Sequence, residues 1–268
     1  MKYLLQYADR WYPGGPPGVY VTRAETSLLP PEPWIESATR SNDYLTVTVT
    51  PEALEREAVH LAKHPEAFLT VTSGALPPAF PDPLHGAIGP EIEAAIAYAG
   101  EDLVRLWLAR TPPATPEPTP PAAKEPSPPT APPRRPVPDQ ASLARHVLGN
   151  PPYAVLYAHA AAAAVLRWAG PPPGDFRPGR LTEPGEFLLL DALSWLPERV
   201  ATAARRGRPD LFVRHLETLA VLTIDMMSTK PFSPGQVPDG ERLWLAVAAK
   251  TGLAACLRPL GIHPPERL

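Results

Sequence analysis

From Tyr44 to Thr50 apolar and hydroxyl residues alternate with a period of two (Tyr-Leu-Thr-Val-Thr-Val-Thr), the pattern of a strand with one buried face. At Pro51-Glu52-Ala53-Leu54-Glu55-Arg56-Glu57 the period lengthens to that of a helix. Thr50 stands at the N-cap, Pro51 at the first helical position, and acidic residues fill the first turn. This helix is predicted to end near His64-Pro65. Val19–Thr22 and Ala67–Val71 predict shorter strands, and Ile92, Ala95, Ile96, Ala99, Leu103, Leu106 and Trp107 predict one helix from Glu91 to Arg110. After Asp139 the helical period takes over, predicting helices over Asp139–Leu148, Pro152–Ala169, Pro184–Arg206, Asp210–Ser228 and Asp239–Leu260. Lengths and Pro/Gly turns of this kind suit a helical bundle.

Proline changes the picture. The chain has 41 prolines in 268 residues, and much of that excess falls between Thr111 and Pro138. Proline fixes φ and removes the amide donor, so this tract is neither a helix nor an inner strand. It reads as an extended spacer, with a PxxP ligand for a partner domain as the alternative. The expected organisation is a small mixed α+β domain (1–110), a proline-rich linker (111–138) and an all-α C-terminal helical bundle (139–268).

The net charge of −3 hides an asymmetry: about −5 up to Pro138 and about +2 from Asp139 onward. Basic residues of the second part cluster as Arg199, Arg205, Arg206, Arg208 and Arg214, so an electrostatic footprint for RNA is expected there. The single cysteine, Cys256, excludes an intramolecular disulfide and any zinc site built from several thiolates, and its apolar neighbours predict a buried thiol. The first residues lack a signal peptide's apolar core, and no run of 18 apolar residues occurs, so no membrane association and a cytoplasmic location are expected. The excess of arginine over lysine, with abundant alanine and proline, points to a GC-rich bacterial genome.

Other candidate chemistry is thin. His60 and His64 lie four apart with Glu57 three before, a spacing that could place metal ligands on one face, but such a pair on a polar helix is usually a solvated surface, and no further ligand is evident. His85-Gly86-Ala87-Ile88-Gly89 has neither the GxxxxGK[ST] nor the GxGxxG spacing of a phosphate loop. Met226-Met227-Ser228-Thr229-Lys230 faintly resembles the KMSKS loop of class I aminoacyl-tRNA synthetases, but the end of a long amphipathic helix is the wrong context for that ATP-handling loop, and the likeness is read as accidental. No nucleophile–base array is legible, and neither a cofactor nor a metal is expected.

Asn150-Pro151-Pro152-Tyr153-Ala154-Val155-Leu156-Tyr157-Ala158-His159-Ala160 resembles the start of the anticodon-binding helical bundle of arginyl-tRNA synthetases, where Asn-Pro leads into a Tyr-Ala-His-Ala helix. Glu241-Arg242-Leu243-Trp244 and Gly261-Ile262-His263-Pro264-Pro265-Glu266-Arg267-Leu268 are similar to the synthetase's final helix and closing residues. Gly100-Glu101-Asp102-Leu103-Val104-Arg105 resembles the Asp-Ala-Leu-Arg element that names this domain family, and Tyr44–Val49 echoes the last strand of the synthetase's N-terminal tRNA-contacting domain. Leu156 and Ala161 stand where the family usually has glutamine and arginine, and Ala154 where tyrosine is frequent.

The resemblance implies a tRNA partner, with tRNA-Arg as one possibility. The HIGH and KMSK-type signatures of the catalytic domain do not occur in the chain. The expectation is therefore a non-enzymatic binder of the tRNA anticodon arm. A scaffold that docks a synthetase or another protein is the alternative, and residual arginine–tRNA ligase activity is a more remote one. Phosphate contacts are expected from the five clustered arginines, joined by Lys250 and Arg258 if the last helix is used as in synthetases. Tyr153 and Trp244 are candidates for stacking on loop bases. Tyr157 and His159 either face the RNA or are packed core residues with satisfied polar ends.

Overall fold

The computed structural model describes residues 4, 11–23, 32–65, 80, 82–85, 87, 89–112, 138–229, 232 and 238–268. The expected strand at 67–71, the proline tract from 113 to 137, Gly86, Ile88 and Lys230 lie outside them. An antiparallel sheet, in the order β1-β2-β4-β3, opens the fold: β1 Tyr12–Pro13, β2 Val19–Arg23, β3 Ile35–Ser41 and β4 Tyr44–Val49. The alternation read from the sequence is real, because Leu45, Val47 and Val49 on β4 and Tyr20 on β2 turn to the core. β3 has no apolar signature to read: it is an edge strand, almost wholly exposed, held by a two-residue turn in which Asn42 takes a left-handed φ of 51°.

Helix α1 (Pro51–Lys63) starts as expected, with the Thr50 hydroxyl accepting from Ala53 N. The expected helix 91–110 is instead two helices, α2 (Pro90–Ala99) and α3 (Glu101–Arg110). Gly100 divides them at φ 90°, a backbone region that residues with a Cβ rarely adopt, and Arg145 Nε donates to the carbonyl of Ala99 at the break. The expected helix at 139–148 is a series of turns. Asp139 accepts from Ser142 N, His146 adopts φ 61°, and the Asn150 side chain donates to Ala144 O, so local side-chain bonds outcompete the helix. The remaining helices are α4 (Pro151–Ala169), α5 (Pro184–Arg206), α6 (Pro209–Met227) and α7 (Gly240–Leu257), the last running into a 3-10 turn, Arg258–Leu260.

The architecture is thus a small N-terminal antiparallel sheet followed by helices, with an all-α C-terminal region. α4, α5, α6 and α7 pack on one another, and α3 adds to α6 and α4. α1 lies against α5 and α7, the sheet meets α5 through Tyr20, and both contribute to the same hydrophobic cluster as the bundle. The Tyr20 ring sits 5.2 Å from that of Trp195, and its hydroxyl lies 2.8 Å from Ser194 Oγ. Asp191 accepts from Gly18 N at 3.0 Å, and Glu55 on α1 accepts from Gly179 N and Leu181 N ahead of α5. Cys256 is fully buried, and burial pushes its thiol pKa up. By length and composition the segment Gly240–Leu260 passes for a membrane span, with a mean hydropathy of 1.3, but 67% of that window is buried inside the fold.

Ser194 Oγ donates to Asp191 O at 2.7 Å, which leaves Tyr20 to donate to Ser194. Removing the acceptor strands a buried hydroxyl donor, whereas removing the donor does not. Ser194→Ala is therefore expected to cost about 1–3 kcal/mol and Tyr20→Phe about 1 kcal/mol or less, read as urea midpoints of the two variants side by side.

Candidate nucleic-acid interface

The arginines picked out by the sequence gather where α5 turns into α6. Gly207 closes α5 in the left-handed region at φ 60°, and Arg208 N bonds back to Ala203 O at 2.9 Å. That closure leaves Arg205 and Arg206 exposed in the last turn of α5, with Arg214 exposed one turn into α6. Arg205 donates to Thr202 Oγ1, and neither Arg205 nor Arg206 has an ion-pair partner among the described residues. Arg199 lies over the Trp195 ring at 5.2 Å, 3.9 Å from Glu198, and close enough to His215 to disfavour its protonation.

Arg208 differs from its neighbours. Its Nε and Nη2 donate to both carboxylate oxygens of Asp210 at 2.7 and 2.8 Å, and the Asp210 side chain is only 1% exposed. The bidentate bond holds the Asp210 pKa below the usual carboxylate range. Arg208 thereby neutralises a buried carboxylate in the first turn of α6.

A second group surrounds residues 261–268. His159 is 1% exposed and its Nδ1 lies 2.8 Å from Pro265 O. Desolvation lowers its pKa, so the ring is neutral near pH 7 and donates from Nδ1. Lys250 pairs with both oxygens of Glu266 at 2.9 and 3.1 Å, and Arg167 donates to Glu266 O at 2.6 Å. Asp102 accepts from His263 N at 3.5 Å, while Arg105, bonded to Glu101 and Asp82, stands beside Gly261. His159 and Lys250, expected at an RNA surface, are thus engaged in holding this segment, whereas Arg258 is exposed at its edge. Arg105, Arg167 and Glu266 were not among the expected site residues; the Asp102–Arg105 element and the closing Glu266 were the only signals for them.

At the start of α4, Tyr153 is buried with its hydroxyl 3.2 Å from His146 Nδ1. Its ring lies 6.1 Å from that of Tyr157, which is 36% exposed. The alanines that follow let α4 pack on α6 and α7: Ala158, Ala162 and Ala163 are almost completely buried. Trp244 is partly buried beneath Lys63, whose Nζ lies 5.1 Å from the ring centre. Rings of His60 and His64 meet at 4.9 Å, and no group of three or more His, Cys, Asp or Glu capable of holding a metal occurs among the described residues.

Comparison with known proteins bears on this arrangement. Residues 155–268 match the DALR anticodon binding domain. The arginine–tRNA ligase of Renibacterium salmoninarum is 38% identical over 127 residues, 44% of this chain and 23% of that protein. That of Clavibacter sepedonicus is 36% identical over 138 residues, 48% of this chain and 25% of that protein. The Micrococcus luteus enzyme is 30% identical over 191 residues, 66% of this chain and 31% of that protein. The solved arginyl-tRNA synthetase of Thermus thermophilus superposes with a TM-score of 0.47 at 22% identity, covering 82% of this chain and 32% of that one. The C-terminal part of the chain is thus similar to the DALR anticodon binding domain and to arginine–tRNA ligases. The chain spans 23–31% of the length of these three ligases.

His215 on α6 adds a pH handle. Its Nε2 donates to Ala192 O at 2.8 Å, and burial lowers its pKa to about 4. A histidine whose folded pKa lies below its unfolded value of about 6.5 binds its proton more readily when unfolded. Its stabilising contribution is complete above about pH 6.5 and is lost as the pH falls towards 4. The urea midpoint is expected to drop between pH 7 and pH 5, and His215→Gln to shrink that drop; an unchanged drop in the variant would exclude His215 as its source.

Proposed function

We propose that this chain is a non-catalytic RNA-binding protein whose DALR domain engages the anticodon arm of a tRNA. The observation that carries the reading is the exposed arginine group at the α5–α6 turn, with Arg205, Arg206 and Arg214 left without ion-pair partners among the described residues, on a domain of the anticodon-binding class. These side chains supply salt-dependent phosphate contacts that position an RNA without reading its sequence. Arg199 joins them from about two turns earlier on α5. Tyr157, exposed and backed by Tyr153, offers the ring on which a splayed loop base stacks. Tyr153, His159, Arg208 and Lys250 act by holding these elements in place, and Arg258 extends the basic surface along the last helix.

Two observations support the absence of catalysis. The similarity to arginine–tRNA ligases takes in only 23–31% of their length and includes the match to the anticodon binding domain, and the chain carries neither a HIGH nor a KMSK-type sequence. Selectivity for tRNA-Arg is left open by the replacement of the family's glutamine and arginine with Leu156 and Ala161. Arginine-dependent ATP–pyrophosphate exchange is expected to stay at background; exchange above it would contradict the reading.

Arg205→Ala, Arg206→Ala and Arg214→Ala together are expected to weaken tRNA binding and to reduce the slope of log K against log salt by about one for each phosphate no longer neutralised. Arg208→Ala is unsuitable for this test, because it leaves Asp210 buried without its partner. Tyr157→Ala is expected to cost about 1–3 kcal/mol of binding at an unchanged salt slope. Filter binding across a salt series reads both, and an unaltered slope in the triple variant would place the phosphate contacts elsewhere.

A further inference from the structure

At the other end of α5 the surface has the opposite character. A cleft of about 310 Å³ opens between the start of α5, the end of α6 and the start of α7. Leu188, Leu222 and Met226 supply its apolar lining, and Leu188 is 46% exposed. Beside it on α6, Val221 is 51% exposed, so the apolar surface continues beyond the cleft. Glu183 and Asp225 stand exposed at the rim, and the Asp225 carboxylate has no partner among the described residues. The one cation in the lining, Arg242, is already bound to Glu186 at 2.5 Å and to Asp239 at 2.8 Å. The local balance is therefore negative around an apolar floor.

Such a surface repels RNA, and the cleft is at the small end of ligand pockets, too small to enclose most of a drug-sized molecule. It matches an apolar side chain presented from a larger, positively charged body. Helix-in-groove recognition has this form: an apolar face enters the groove while charges on the flanks choose the partner. We propose that this cleft is the docking site for a basic amphipathic helix of a partner protein, with an apolar anchor between Leu188, Leu222 and Met226 and lysine or arginine against Glu183 and Asp225. The residues of α5 between Gly185 and Arg206 put the cleft about 30 Å from the arginine group at about 1.5 Å per residue, so the two surfaces are separate and the docking does not depend on the RNA reading.

The test uses the full chain and three dye-labelled peptides of about five helical turns, read by fluorescence anisotropy: one with leucine at three- and four-residue spacing and lysine elsewhere, one with glutamate for lysine, one with serine for leucine. The Leu/Lys peptide is expected to bind saturably. Asp225→Lys and Leu188→Ser, both at exposed positions, are each expected to weaken it about tenfold, equivalent to about 1.4 kcal/mol. Glu93→Lys on α2 makes the same charge change away from the cleft and is expected to leave binding unaltered, and neither control peptide is expected to saturate. The proposal is overturned if the Leu/Lys peptide fails to saturate below about 1 mM, if a control peptide binds as well, if either cleft variant binds like the wild-type chain, or if Asp225→Lys and Glu93→Lys weaken binding equally. Matching circular dichroism melts establish that the variants are folded.

Discussion

Residues 261–268 are held from three helices at once, and the arrangement of the C-terminal helices depends on that clamp. His159 of α4 donates to Pro265 O, Lys250 of α7 and Arg167 of α4 converge on Glu266, and Asp102 of α3 accepts from His263 N. Ile262 is buried beneath, with its amide on Leu257 O. Exposed ion pairs contribute little singly; here a buried neutral imidazole fixes the segment and the charges align it. The clamp also explains why the Asp-x-x-Arg element on α3, the Tyr-Ala-His start of α4 and the closing Pro-Glu-Arg, remote in the chain, occur together: they meet in one place.

The second constraint is α5. It carries the contact with the sheet through Asp191, Ser194 and Trp195, the basic turn at one end and the acidic, apolar cleft at the other. Its 23 residues hold the basic surface and the acidic, apolar one about 30 Å apart at about 1.5 Å per residue. Tyr20 on β2 and Glu55 on α1 tie the sheet region to this helix and its approach, so the N-terminal elements buttress the domain.

Much of the fold is legible in the sequence wherever burial follows a period. β4, α1 and the four long helices declare themselves because their apolar residues face one core at a fixed spacing. The edge strand β3 is silent because both faces meet water, and residues 139–148 mislead because Asp139 and Asn150 satisfy the backbone through their own side chains. The break at Gly100 is hidden because both flanking helices keep the same apolar repeat. For the candidate interface, the arginine cluster can be read from the order of residues along the chain, but the roles within it cannot. Arg206 and Arg208 look alike in sequence, yet one is exposed and the other closes on a carboxylate two residues along. His159 and Lys250 likewise acquire their partners only from residues 106 and 16 positions away.

The central claim is that the domain binds the anticodon arm rather than RNA at large. The most direct measurement is chemical probing of the loop bases and phosphates of total tRNA, with and without the full chain, alongside a hairpin RNA of matched length and base composition. The account predicts protection concentrated in the anticodon arm of tRNA, diminishing with salt, and weaker, unlocalised protection of the hairpin. Equal protection of both RNAs, or protection confined to the acceptor end of the tRNA, would contradict it.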